Sequence, residues 1–135
     1  MPKERVSVAR GGEVMLTFHS IPNSNIVEFT LDGAVTREDF DAVIAEVNSK
    51  IADYGSVDVL EEIRSIGKMS PSVIWDDLRW ALSNMRHVGR AAVVCDKKWI
   101  EKMVDVMQPL TRVDVRHFVP AEIGRARQWL VNGID

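Results

Sequence analysis

The five residues Ala91-Ala-Val-Val-Cys95 are apolar without interruption, and this run restricts the fold more than any other segment of the 135-residue chain. A strand with one wet face alternates polar and apolar residues, whereas a short unbroken run marks a strand buried inside a parallel sheet. Helical signals flank the run. Ser70-Pro71 opens a helix to about His87, with Ser70 as cap and Pro71 in the first helical position. Asp96 is placed to cap another helix that continues to about Met107, and Pro109 ends it.

The rest of the chain repeats this alternation. Residues 13–21 and 26–31 read as two strands around the turn Pro22-Asn-Ser-Asn25, which predicts a hairpin. The first of these strands is expected at an antiparallel edge of the sheet. Thr36 and Asp39 have the spacing of a capping box. After them Phe40, Val43, Ile44, Val47, Ile51 and Tyr54 recur at helical spacing, with Lys50 and Asp53 on the polar remainder and Gly55 as the stop. Residues 57–66 and 113–119 are strand-like, and Pro120 starts a last helix ended by Asn132-Gly133. The order β-β-α-β-α-β-α-β-α predicts an α/β fold: a mixed, mainly parallel sheet of four or five strands, four main helices and an N-terminal β-hairpin. Residues 1–12, ending in Gly11-Gly12, read as a loose lead-in, and residues 13–135 as a single domain.

Composition narrows the function. Hydrophobic residues make up 46% and charged ones 27%, and a chain of this length buries roughly two-thirds of its unfolded surface. A net charge of −3 gives none of the basic field a nucleic-acid binder needs, so no nucleic-acid partner is expected. The lone Cys95 cannot form an internal disulfide, and no apolar run approaches a membrane span or a signal peptide. The expected location is cytoplasmic.

Several segments together resemble the SpoIIAA-like (STAS-like) proteins, in particular their small stand-alone bacterial branch, whose function is mostly unassigned. They are Leu31-Asp-Gly33 with Thr36-Arg-Glu-Asp39, then Ile74-Trp-Asp-Asp-Leu78, Arg90-Ala-Ala-Val-Val-Cys-Asp-Lys-Lys-Trp99, Val115-Arg-His-Phe118 and Ala126-Arg-Gln-Trp-Leu130. The resemblance covers roughly residues 13–131. It implies a β-α superhelix in which helices pack over the sheet. At the level of fold this is similar to the CRAL-TRIO lipid carriers, which makes an apolar ligand or a membrane surface the expected partner. Anti-sigma-factor antagonists of the family carry a phosphorylated Ser in an Asp-Ser-Ser/Thr-Gly segment. This chain has Gly67-Lys-Met-Ser-Pro-Ser-Val73 there, without the Asp and the Gly, so Ser70 and Ser72 stand where a switch residue would be. A helix cap is the more direct explanation of Ser70, with the switch as the alternative.

No arrangement of residues reads as a catalytic or metal centre. Cys95 ends an apolar strand ahead of a helix, a place where a dipole can acidify a thiol, yet its run reads as buried. His19, His87 and His117 have no metal-ligand spacing, and no phosphate-binding glycine motif is present. Asp96-Lys-Lys98 puts two cations at a helix start, which the dipole disfavours unless an anion lies close. Glu61 and Glu62 point to opposite faces of one strand and cannot form a dyad, while Glu62 and Arg64 share a face and can pair. These features point to a non-enzymatic module without cofactor or metal. Its expected partner is a small apolar ligand or lipid, with peripheral membrane contact or a homodimer as further expectations; the alternative is a STAS-type signalling regulator acting by protein–protein contact.

The expected interaction surface comprises Glu62 and Arg64 together with the helix opened by Ser70. There Ile74, Trp75, Leu78, Ala81, Leu82, Met85 and Val88 form one core-facing stripe. Val73 and Trp80, seven residues apart, form a second ridge beside the polar face. Trp80→Ala is expected to weaken binding of a hydrophobic dye while the melting temperature stays within a few degrees. A large loss of Tm would make Trp80 ordinary core.

Overall fold

The computed structural model describes residues 6–10, 13–33, 37–68, 87–110 and 112–133. Six strands form one sheet in sequential order: β1 (Val6–Arg10), β2 (Glu13–Ser20), β3 (Ile26–Asp32), β4 (Val57–Ser65), β5 (Val88–Val94) and β6 (Asp114–Phe118). β2 runs antiparallel to both of its neighbours, β1 and β3, and β3 to β6 run parallel. Helix α1 (Arg37–Tyr54) follows β3, α2 (Lys98–Met107) follows β5 and α3 (Ile123–Asn132) ends the described chain. The expected helix from Ser70 and the Thr36 cap lie outside the described residues, as do Ser72, Val73, Trp75 and Trp80.

The α/β class, the hairpin and the central parallel strand hold, while the sheet gains a strand. Residues 6–10, read from the sequence as lead-in, form β1, and it is β1 rather than β2 that lies at the antiparallel edge. Five residues beside a glycine pair carry too short a pattern to stand out from a loop. Pairing with β2 supplies what the local sequence lacks.

Alternation sorts the core onto two faces. On one face Val27, Leu31, Val57, Ile63 and Val93 meet Val43 and Val47 of α1 and Ile100, Met103 and Val104 of α2. On the other, Leu60, Ala92, Val94 and Phe118 meet Ala126, Trp129 and Leu130 of α3. The unbroken apolar run is explained by this double cover. β5 departs from strict alternation at one place: Val57 pairs with Val88, but Val59 pairs with Ala91. The extra residue forms a bulge whose N–H, on Arg90, donates to Asp58 Oδ1 at 2.9 Å. A Cβ at Gly89 would stand 2.9 Å from the same oxygen, so a larger residue there would push the Asp58 side chain away from this bond.

Helix ends are held by partners distant in sequence. At the end of α3, Gly133 takes the left-handed conformation (φ 76°) and its N–H donates to Trp129 O at 2.7 Å. The Arg90 guanidinium donates to Leu130 O at 3.2 Å, a cation placed on the negative end of the helix. For α2 the cap differs from the sequence expectation. Lys97, not Asp96, is the N-cap residue, with no side-chain cap bond. The Lys97 N–H donates instead to Cys95 Sγ at 3.4 Å, since the chain leaves β5 with the thiol turned inward under this turn.

Lys50 also departs from its expected place on the polar side of α1, for it is only 7% exposed. Its Nζ donates to Ile21 O at 2.7 Å and to Ser24 O at 2.6 Å, and so fastens α1 to the β2–β3 turn. Tyr54, expected in the core stripe, is 49% exposed with the Lys50 ammonium 5.4 Å from its ring centre. A long aliphatic stem lets a lysine cross an apolar contact and deliver its charge to carbonyls beyond it. Lys50→Met keeps the stem and removes the bonds; a loss of about 2 kcal/mol is expected in denaturant unfolding. An unchanged midpoint would mean that water replaces the ammonium without penalty.

Candidate functional site

The two faces of β4 carry carboxylates of opposite circumstance. On the α3 face, beyond the helix, Glu62 accepts from Arg64 Nε at 3.1 Å and from Thr30 Oγ1 at 3.4 Å. Glu28 on neighbouring β3 accepts a two-pronged bond from Arg127 of α3, at 3.0 and 3.1 Å. The predicted Glu62–Arg64 pair therefore forms, within the sheet rather than at its edge, and Arg64 remains 59% exposed. A pair this open contributes little to stability. Glu28 and Glu62 thus each have an arginine.

Glu61 lies on the other face, between Val59 and Ile63 of the core. The register places it in a row that crosses five strands, Phe18–Phe29–Glu61–Val93–His117. Its immediate neighbours in that row are thus Phe29 and Val93. Among the described residues no hydrogen bond or opposite charge reaches its carboxyl, and burial alone pushes its pKa up to about 7. The carboxyl sits deep among side chains, with part of the residue still reached by solvent. An ionisable group that is desolvated, unpaired and still accessible is the arrangement found where side chains meet ligands.

Two further groups frame this face without adding reactivity. Cys95 is fully buried, and burial pushes its thiol upward, with Asp96 and Glu61 adding to the effect. It is therefore a thiol rather than a nucleophilic thiolate. His117 Nε2 lies 2.8 Å from Cys95 O, so the ring is tied to the backbone at the end of β5. Among the described residues no three His, Cys, Asp or Glu side chains converge as metal ligands, and no helix is long and apolar enough to cross a membrane.

Of the residues singled out in the sequence, the described structure brings together Glu62 and Arg64. Ser70, Val73, Trp75 and Trp80 lie outside the described residues. The sequence does not single out Glu61 as a site, because beside Glu62 it reads as half of a dyad that cannot form. One signal was available: a strand reading Val57-x-Val59-x-Glu61-x-Ile63 has a lone acid at an inward position.

The fold accords with the comparisons to known proteins. The SpoIIAA-like family profile matches residues 26–131, and the chain belongs to the SpoIIAA-like family. Among solved structures, an uncharacterized protein of the DUF3478 family from Shewanella loihica PV-4, with a SpoIIAA-like fold, is similar at 18% identity. Its TM-score is 0.61, with 94% of each chain covered. At that identity the likeness is one of fold. Among curated proteins none matches the chain.

The state of Glu61 has a stability consequence with a definite sign. Its folded pKa, about 7, lies above its ordinary value of 4.5. The penalty is therefore absent below pH 4.5, grows as the pH rises and is complete above about 7. The shift corresponds to roughly 3 kcal/mol at most. Glu61→Gln is expected to raise unfolding stability at pH 8 by about 1–3 kcal/mol and to leave it nearly unchanged at pH 4.5. A pH-independent difference between the two proteins would show that Glu61 ionises normally.

Proposed function

We propose that this protein is a non-enzymatic binding module that holds a small apolar ligand against the α1/α2 face of its sheet, with Glu61 as the polar anchor. The observation that carries this reading is the unpaired Glu61 carboxyl between Phe29 and Val93. A buried acid without a partner lowers stability, and folds keep such groups where they serve a site. An apolar wall with one polar group is also the usual build of a small-molecule pocket. Family membership supplies the frame and not the activity, since one fold hosts many functions.

The non-enzymatic part rests on the described residues. Cys95 is buried with its thiol pushed up, and His117 is tied to a carbonyl. A single-chain lipid meets the requirements of the site, and taking one up from a bilayer would bring the domain to a membrane surface.

Native mass spectrometry of freshly purified protein, followed by solvent extraction, tests the reading. A one-to-one complex with an extractable apolar compound is expected, together with competition between that compound and a hydrophobic dye. Bare chain mass and no saturable dye binding would overturn it.

A further inference from the structure

Resting on that reading of the Glu61 face, we propose that the ligand is an apolar amine, whose ammonium group pairs with the Glu61 carboxylate while its hydrocarbon part lies along the partly buried Phe29. The argument begins with the contrast between the two faces. Glu28 and Glu62 each have an arginine, at 3.0 and 3.1 Å. Glu61 has none among the described residues, and the one buried cation among them, Lys50, is committed to the carbonyls of Ile21 and Ser24. The charge missing from this face is positive.

The groups around Glu61 do not supply it. β3 brings Val27, Phe29 and Leu31 to this face, all uncharged. β5 brings only the Cys95 thiol, which burial holds in its neutral form. β6 brings His117, two strands away and bonded to Cys95 O. On α1, Asp41 and Asp53 are exposed and Glu46 half-buried; on α2, Lys98, Glu101, Lys102 and Asp105 are exposed. Three ligand headgroups then compare simply. A carboxylate would set two negative charges side by side on an apolar wall. An alcohol can donate one hydrogen bond to the ionised Glu61 but leaves its charge uncompensated. An ammonium gains a charge-assisted hydrogen bond where water competes least.

Isothermal titration of the full chain with octylamine, octanol and octanoate, at pH 6 and pH 8, tests this directly. Primary amines stay protonated to about pH 10, so Glu61 sets the pH response. Octylamine is expected to bind at least about tenfold more tightly than octanol at pH 8, with octanoate weakest, and to bind roughly tenfold more weakly at pH 6. Glu61→Gln is expected to reduce octylamine to the level of octanol and to flatten its pH response. A pH response that persists in Glu61→Gln would belong to another group and would overturn the assignment. Equal affinities for the three compounds in the native chain, or a preference for octanoate, would overturn the amine and leave an apolar binding module. Failure of all three to bind would overturn the module itself.

Discussion

β5 can lie between β4 and β6 only because water is excluded from both of its faces. Val93 and Cys95 are covered on the α1/α2 side, and Ala92 and Val94 are covered by Trp129 and Leu130 of α3. Burying Trp129 alone is worth roughly 2–3 kcal/mol of apolar transfer. Arg90 secures the arrangement with two parts of one residue. Its backbone N–H fills the bulge against Asp58, and its guanidinium holds the last carbonyls of α3. Strand pairing, face assignment and the docking of α3 thus meet at one place. Gly133 completes it, since a Cβ there would run into the Arg90 guanidinium.

The sheet that results is asymmetric in its electrostatics. α3 covers β4, β5 and β6, and alongside it Glu28, Glu62, Arg64 and Arg127 pair with one another in partial contact with water. The opposite face is apolar across four strands, and Glu61 interrupts it. Paired charges at a surface need no further explanation. A lone buried acid does, because neutral packing of the same volume would make the domain more stable. The frame is that of the SpoIIAA-like family, to which the chain belongs.

How much of this is legible in the sequence depends on the range of the interaction involved. The order of elements is written locally: the apolar run at 91–95, the helical spacing of Val43 and Val47, the stop at Gly133. These features act within a few residues and survive as patterns. The Glu62–Arg64 pair is equally local, two residues apart on one strand. β1 escaped because five residues gain their stability from β2 rather than from themselves. Lys50 escaped because its partners, Ile21 and Ser24, stand 29 and 26 residues away, and no periodicity distinguishes a lysine facing water from one facing carbonyls.

Glu61 shows where the division falls. The sequence by itself determined that an acid sits at an inward position of a strand, because alternation has a fixed period of two residues. It also determined the helices and strands, whose signals are carried by neighbours along the chain. Only the tertiary structure decided that Phe29 and Val93 stand beside this acid while the arginines that pair with Glu28 and Glu62 lie on the far side. Desolvation and charge pairing depend on what surrounds a group in space, and strands 30 residues apart become neighbours only after the sheet has formed.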